Sequence, residues 1–353
     1  MSYESNTNIT TSTLYHLVGK TIDTVTNYSP LLLKILGNQK QWKGYQMKFP
    51  IQYQATDTGT WFTGLEKFST KKVEDFVNMV FNPTGREEAV TLSGIEMDLN
   101  NSAQVIDLAA RETEKTANKM ADIIATSFYT LQTGDAFLSV LDACDDGTNV
   151  SSYGGLSRST YTGIQGNYTA SVGTLTLSVM GTMFNSCTHG NEMPDLIICP
   201  PAVWNYYESL LTPTVQTSVS AVDLKGYSQM TRTGIVAPGA GLKGQQGFNA
   251  IFYRGVPVVA DEKANSGDMY FLNTKHLTFY GLPSTLPGYK PFRFTSDNIE
   301  DVYDQAPKTF GWSFSGFQVP IDQYGMVGHI ILVGNLICDN PRTLGRLTGI
   351  TGS

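Results

Sequence analysis

The residues of this sequence that could act as nucleophiles or metal ligands are few and far apart. They are four cysteines and four histidines, namely Cys144, Cys187, Cys199, Cys338, His16, His189, His276 and His329. Cys187 and His189 lie close together, but a zinc ion would need further ligands that their neighbourhood lacks. No CxxC motif occurs, so we predict buried, reduced thiols and structural histidines. A cysteine-dependent enzyme of unidentified type stays open as an alternative, because a Cys–His pair can form between residues that meet only in the fold.

Two short motifs resemble binding loops but depart from them at essential positions. Residues 239–244 match the dinucleotide pattern GxGxxG, which needs a following helix whose amides face the pyrophosphate, whereas here a strand pattern follows. Residues 142–147 begin like a calcium loop, but Cys144 takes the third ligand position and Tyr153 the twelfth, where a glutamate is required. We therefore predict a flexible loop and a polar turn at these motifs. We expect no cofactor, no bound metal and no enzymatic activity.

Composition excludes two further classes of protein. The 353 residues carry a net charge of −7, from 24 Lys and Arg against 31 Asp and Glu, which is not typical of a protein that coats nucleic acid. The longest apolar stretch, over 326–336, is interrupted by glycine and polar residues and falls short of the roughly 18 residues that span a bilayer. The first residues also lack a secretory signal pattern. We expect no association with a membrane.

The first part of the chain predicts an arm followed by a long hairpin. Residues 1–43 contain an amphipathic pattern near 14–25 and the apolar run 31–36, and we interpret them as an arm that packs on another surface. Within residues 44–98, apolar residues occupy every second position over 47–53, as in a half-buried strand. A second extended run returns over 76–81, and a further one covers 89–99. The polar excursion between the runs is about twenty residues long, which is unusual inside a compact domain.

The strongest local signal is a long helix over residues 102–133. Polar residues that can cap a helix precede it, Gly134 follows it, and apolar or small residues recur in steps of three and four. These residues are Ile106, Ala110, Thr113, Ala117, Met120, Ile124, Phe128 and Leu131. A helix of this length measures about 45 Å at about 1.5 Å per residue. One small domain could not bury it alone.

The remaining elements come in blocks of helices and strands, which indicates the α+β class and not an alternating α/β fold. The predicted helices cover residues 175–187 and 202–211. The predicted strands cover residues 195–199, 248–252, 256–260, 269–272, 277–280 and 326–337. We expect loops and short hairpins over most of the rest.

Together these elements resemble the Hong Kong 97 fold, the fold of the major capsid proteins of tailed bacteriophages with double-stranded DNA. The long helix and the hairpin resemble that family's spine helix and extended loop. Residues 175–211, with PDLIICPPAVW at 194–204, resemble the start of its axial domain. The most specific stretch is FYRGVPVVA at 252–260, followed by GDMYFLN at 267–273. The tail over 328–350 resembles the strand that returns to the peripheral domain.

The resemblance implies a division of the chain into five parts. These are an N-terminal arm (1–43), an extended hairpin loop (44–98), a peripheral domain with the spine helix 102–133 (99–174), an axial domain (175–325) and a C-terminal return to the peripheral domain (326–353).

The resemblance also implies a structural protein of the virion. Copies of the chain would assemble in the host cytoplasm into hexamers and pentamers of an icosahedral capsid that encloses packaged double-stranded DNA. The implied partners are further copies of the chain, a portal and a scaffolding protein. Because the hairpin begins near residue 45, we expect either a separate scaffolding protein or a chain already processed, and Met1 favours the separate protein. An encapsulin-like bacterial compartment, which shares the fold but encloses cargo enzymes, is the alternative.

A hairpin with little core beneath it suits a shell in which a neighbouring subunit supplies the other face, partly by strand addition. The expected inter-subunit contacts lie in the hairpin and the arm, at Leu31, Leu32, Leu33, Ile35, Trp61, Phe62, Lys67, Lys71 and Lys72. Some members of the family join subunits by Lys–Asn isopeptide bonds. We interpret the three lysines instead as a solvated tip that forms salt bridges with a neighbour.

Overall fold

Two mixed β-sheets, one of seven strands and one of six, form the framework of the fold. The structure is a computed structural model, and it describes residues 29–53, 61–65, 74–101, 108–211, 250–282, 284, 290–294, 299–301 and 311–351. Among the described residues, no helix combines the length and apolar character needed to cross a bilayer. The amphipathic pattern near 14–25, the glycine motif 239–244 and the three lysines of the hairpin lie outside the described residues.

Six α-helices are found in the described part of the chain. They are α1 (Pro30–Leu36), α2 (Gly94–Asn101), α3 (Leu108–Ser127), α4 (Val140–Cys144), α5 (Leu177–Ser186) and α6 (Pro201–Leu210). The strands are β1 (Lys40–Gln41), β2 (Met47–Gln52), β3 (Phe76–Phe81), β4 (Thr84–Ser93), β5 (Ser152–Tyr153), β6 (Leu156–Ser157), β7 (Asn167–Thr169), β8 (Gly173–Thr174), β9 (Leu196–Cys199), β10 (Ala250–Tyr253), β11 (Val256–Ala260), β12 (Met269–Leu272), β13 (Leu277–Gly281), β14 (Lys290–Phe294), β15 (Ile299–Asp301), β16 (Trp312–Phe314), β17 (Gly325–Cys338), β18 (Gly345–Leu347) and β19 (Ile350–Thr351).

The seven-stranded sheet is built around the long strand β17. Its first part pairs with β4, from Gly325 opposite Ser93 to Gly334 opposite Thr84, and its last part pairs with β13. Its middle part also pairs with β16, and β1 joins the sheet through a parallel pairing with β13. The helix α3 packs on this sheet through buried residues spaced by three and four, namely Ala117, Met120, Ala121, Ile124 and Ala125.

The six-stranded sheet runs in the order β10-β11-β9-β12-β18-β7 and separates two hydrophobic cores. Alternate residues of β9 face opposite cores: Ile198 packs in the core of α1, α3 and the seven-stranded sheet, whereas Ile197 packs in the core of α5 and α6. A strand buried on both faces explains why residues 196–199 form an uninterrupted apolar run. The predicted helices at 175–187 and 202–211 and the strands flanking them are confirmed with small shifts at their ends.

The predicted long helix ends earlier in the structure, and residues 102–107 at its predicted start lie outside the described part of the chain. The strand before it, β4, ends at Ser93, and α2 begins at Gly94, whose N–H bonds to the Tyr324 carbonyl (3.0 Å). At the other end, α3 stops at Ser127 instead of continuing to Thr133. The carbonyl of Phe128 accepts a bond from the N–H of Val140 (2.9 Å), so the end of the helix is fixed by tertiary contacts.

The C-terminal residues contribute to both sheets. β17 lies in the seven-stranded sheet, but β18 pairs with β12 and β7 in the six-stranded one. The predicted C-terminal return over 326–353 thus includes strands of both sheets. In the same way, β13 and β16 belong to the seven-stranded sheet, although they lie within the predicted axial range 175–325.

Candidate functional site

The base of the hairpin is a two-stranded ribbon formed by β2 and β3. The strands pair antiparallel from Met47 opposite Phe81 to Gln52 opposite Phe76, which confirms the predicted hairpin. Along β2, residues 47, 49 and 51 are half-buried and residues 48, 50 and 52 are exposed, as the alternating pattern predicts. One face of the ribbon is therefore apolar and packs inwards.

The ribbon is anchored on the subunit's own core, contrary to the expectation that little core lies beneath it. Met79 and Phe81 are buried. The ring of Phe81 contacts the rings of Phe49 and Tyr153 edge-on, with centroids 5.9 Å and 5.3 Å away.

A glycine allows the ribbon to approach the turn between β5 and β6. The N–H of Val80 donates to the Gly154 carbonyl at 2.9 Å. Gly154 has a φ of +57°, and a Cβ atom at this position would lie 2.8 Å from the Cβ of Met79. A side chain here would strain the backbone and push the hairpin off the core.

Beyond the base, the hairpin carries three exposed apolar side chains. Trp61 and Leu65 are fully exposed, and Phe62 is more than half exposed. The structure thus brings together the predicted residues Trp61 and Phe62, and it adds Leu65, which the sequence analysis did not single out. The only sequence signal for Leu65 is its position in the same polar excursion. Lys67, Lys71 and Lys72 follow in the sequence, outside the described residues.

The arm residues occupy a different place from the one predicted. Leu31, Leu32 and Ile35 are buried in the subunit's own core, where α1 contacts α3 and β13. The prediction that these three side chains contact a neighbouring subunit is corrected, because no surface of theirs is left for such a contact. Leu33 is half-buried.

A second exposed apolar surface, which the sequence analysis missed, lies where β4 ends and β17 begins. This surface, called the apolar tip here, consists of Ile95, Leu99, Val319, Ile321 and Tyr324, all of which are largely exposed. The hydroxyl of Tyr324 donates to the Asp98 carboxylate, and its ring covers Gly94, where a Cβ would lie 2.5 Å from the ring. The sequence signal that could have predicted part of this surface is the spacing of four residues between Ile95 and Leu99, which places both side chains on one face of a helix.

The cysteine thiols are buried, and burial keeps them in the protonated form, which is a poor nucleophile. All four cysteines are free and buried. Burial raises the pKa of Cys187 to about 12 and the pKa of Cys199 to about 12, so both remain protonated at neutral pH. The Sγ atom of Cys187 lies near Met183 and Asn167, whereas the ring of His189 faces the Arg342 carbonyl (3.2 Å). Thus Cys187 and His189 do not form the pair that catalysis would require.

The acidic motif 142–147 is a helix cap and a turn. Asp142 and Ser139 form a reciprocal capping box at the start of α4. Burial disfavours the charge of Asp145, but bonds from Val150, Asn149 and the Gly147 N–H outweigh it and lower the pKa of the carboxyl below its usual range. Within the described residues, no cluster of His, Cys, Asp and Glu could hold a metal ion.

One groove of about 600 Å³ lies beside the hairpin base, between residues 49–53 and the turn 339–342. On its wall His276 contacts Asp339, with Nδ1 and Oδ1 2.6 Å apart. The described lining contains no serine, threonine, cysteine or lysine, so this His–Asp pair has no nucleophile beside it there.

Comparison with known proteins identifies the fold. No protein-family model matches the chain, and no curated protein matches it either. Among solved structures, a chain of the cyanophage A-1(L) capsid asymmetric unit is similar, with a TM-score of 0.68, 14% identity and coverage of 98% of this chain and 99% of that chain. A chain from the capsid of a native GTA particle gives a TM-score of 0.59 and 9% identity, with coverage of 99% and 100%.

The SrpI encapsulin complex of Synechococcus elongatus is also similar, with a TM-score of 0.56, 11% identity and coverage of 99% and 96%. The chain therefore has the Hong Kong 97-type fold that phage capsid chains and an encapsulin share, and the predicted α+β class is confirmed.

Proposed function

We propose that this chain is the major capsid protein of a tailed bacteriophage and that it assembles into hexamers and pentamers of an icosahedral shell around packaged double-stranded DNA. The observation that carries the proposal is the likeness to capsid chains over nearly the whole length of both partners. Because one fold can serve several functions, this step is an analogy from fold to function. The surface of the subunit provides independent physical support.

That support comes from the two exposed apolar surfaces. Soluble monomers rarely expose contiguous apolar patches that are not contact sites. The hairpin presents Trp61, Phe62 and Leu65, and the apolar tip presents five more large side chains. In a closed symmetric shell each such contact is repeated in every subunit, so weak individual contacts give a stable assembly.

Other parts of the proposal follow from the same role. The subunit acts as a structural protein and not as an enzyme, its place is the capsid of the virion, and assembly takes place in the host cytoplasm. Its partners are further copies of the chain, a separate scaffolding protein, a portal and the packaged DNA. Lys67, Lys71 and Lys72 form salt bridges with a neighbouring subunit and no isopeptide bond.

An encapsulin-like compartment is the second candidate, favoured by the similarity to the SrpI encapsulin. The two functions differ in what the shell contains. Purified particles that carry nuclease-protected double-stranded DNA support the capsid, and particles that carry a cargo protein support the compartment.

The decisive experiment is negative-stain electron microscopy of the expressed chain, with and without a candidate scaffolding protein, together with its light-scattering mass. We expect closed polyhedral shells or capsomer rings, and a single monomer band in denaturing electrophoresis of the particles. A stable monomer under all conditions would contradict the proposal. A ladder of covalent multimers would contradict the assignment of the lysines.

The hairpin surface is tested by Trp61→Ala. A large exposed aromatic residue at an interface contributes about 2 kcal/mol or more to association, which corresponds to more than a tenfold rise in the concentration needed for assembly. The free energy of unfolding of the unassembled subunit should change by less than about 0.5 kcal/mol. Met193→Ala, at an exposed apolar residue outside both surfaces, is the matched control and should leave assembly unchanged.

A further inference from the structure

A buried carboxylate joins three distant parts of the chain. Asp261 directly follows β11, and its side chain is almost completely buried. Its Oδ2 atom accepts hydrogen bonds from the hydroxyl of Ser29, at 2.5 Å, and from the hydroxyl of Tyr129, at 2.9 Å. Its Oδ1 atom accepts a bond from the N–H of Lys263 at 2.9 Å. Through this carboxylate, the end of β11 in the six-stranded sheet is joined to the start of α1 and to the segment just after α3.

Both hydroxyl groups that donate to Asp261 are shielded from water and remain protonated. Ser29 and Tyr129 are themselves buried. Burial and the charge of Asp261 hold the pKa of Tyr129 well above its usual range, so its phenol remains a donor. The oxygen of Ser29 also accepts a bond from the N–H of Leu32 (3.4 Å), so the same hydroxyl caps α1 and binds Asp261.

The turn that follows Asp261 makes two further contacts with α3 and its end. The ammonium of Lys263 lies 2.6 Å from the Asp122 carboxylate, and the side-chain amide of Asn265 donates to the Tyr129 carbonyl at 3.0 Å. This turn is therefore fixed to the spine helix whether or not α1 is in place. In contrast, α1 has only seven residues, and a helix of that length is not stable alone in water.

We propose that Asp261 is a conformational latch that helps to hold α1 against the spine helix, and that loss of either hydroxyl bond makes α1 open more often while both sheets stay folded. The latch is a property of the single subunit. Its consequence for a shell, that the position of α1 influences how a subunit meets its neighbours, rests on the proposed function.

Hydrogen exchange of the unassembled full-length chain tests the latch. In Tyr129→Phe, the protected amides of Leu33 and Gly37 in and after α1 should exchange at least about tenfold faster, as expected when a hydrogen bond to a buried charge is lost. Tyr129 makes no direct hydrogen bond to α1, so the effect must pass through Asp261. The matched control is Tyr207→Phe, which removes a buried hydroxyl that donates to the Phe252 carbonyl (3.0 Å) in the other core.

Three variants separate the latch from simpler roles. Ser29→Ala should accelerate the same amides, and in its presence Tyr129→Phe should add little. Asp261→Asn should also accelerate these amides, because an amide in either orientation directs an N–H towards at least one of the three donors, Ser29, Tyr129 or the Lys263 N–H. If Asp261→Asn does not fold, the two hydroxyl variants decide.

Two results would overturn the latch. One is unchanged exchange of α1 in Tyr129→Phe while Ser29→Ala accelerates it, since Ser29 would then be only a helix cap. The other is equal acceleration of exchange across both sheets, which would mean general destabilisation of the subunit.

Shell formation is scored separately by electron microscopy. Shells of Tyr129→Phe with the wild-type diameter distribution would overturn the consequence for assembly, whereas absence of wild-type shells would overturn the proposed function and leave the exchange result standing.

Discussion

Replacing Phe81 by alanine should release the hairpin from the subunit without unfolding the rest of the chain. Phe81 is only 3% exposed and contacts the rings of Phe49 and Tyr153. Removing a buried phenylalanine ring typically costs about 3–5 kcal/mol, which includes the transfer of the ring and the cavity that remains. A loss of about 3 kcal/mol multiplies the population of the open hairpin by about a hundredfold.

The assay is hydrogen exchange of the strands β2 and β3, together with urea unfolding of the whole subunit. Exchange in both strands should rise by about two orders of magnitude, and more than exchange in the six-stranded sheet. Phe76→Ala is the matched control, because Phe76 lies on the same strand but is 71% exposed. It should change stability by less than about 0.5 kcal/mol. Equal effects of the two substitutions would refute the conclusion that the hairpin base is anchored on the core.

Three further predictions concern groups outside the hairpin. The buried Cys187 thiol, with a pKa of about 12, should resist a thiol reagent at pH 8 in the native chain, and all four cysteines should react in denaturant; rapid native labelling would contradict this. The lowered pKa of Asp145 means that its charged form stabilises the fold above the unfolded-state value of about 3.9 and that this contribution is lost as pH falls through the lower folded-state pKa. Urea midpoints should therefore fall steeply below about pH 4, and less steeply in Asp145→Asn. Gly166→Ala should destabilise the subunit by about 1–3 kcal/mol, because its Cβ would lie 2.4 Å from the backbone carbonyl of Cys144, whereas Gly163→Ala, with 3.8 Å to its nearest neighbour, should cost less.

The sequence predicts the elements whose signal is periodic and local. The alternating pattern of β2, the apolar run of β9 and the long strand β17 all appear where expected. In each case the side chains of a single segment determine which face is buried. The resemblance to the Hong Kong 97 fold was detectable for the same reason, since it rests on the order of such segments along the chain.

Features that depend on partners distant in sequence could not be predicted in this way. The apolar run of α1 indicates burial but not which surface covers it, and it is the subunit's own core that does so. The end of α3 depends on Val140, and the pairing of β18 depends on strands β7 and β12. The apolar tip was missed because the helix α2, with Ile95 and Leu99, and the segment 319–324 that precedes β17 are separate in sequence.

The pairing of β17 also has a consequence for the order of folding during synthesis. Its long ladder joins residues 84–93 to residues 325–334, and the core beneath the hairpin includes residues from β13 and β17. Such non-local contacts form slowly, because the intervening chain must be closed into a loop first. A ribosome must therefore pass residue 338 before the seven-stranded sheet can close. Until then the hairpin has an incomplete base, so a nascent subunit cannot present its contact surfaces in their final geometry.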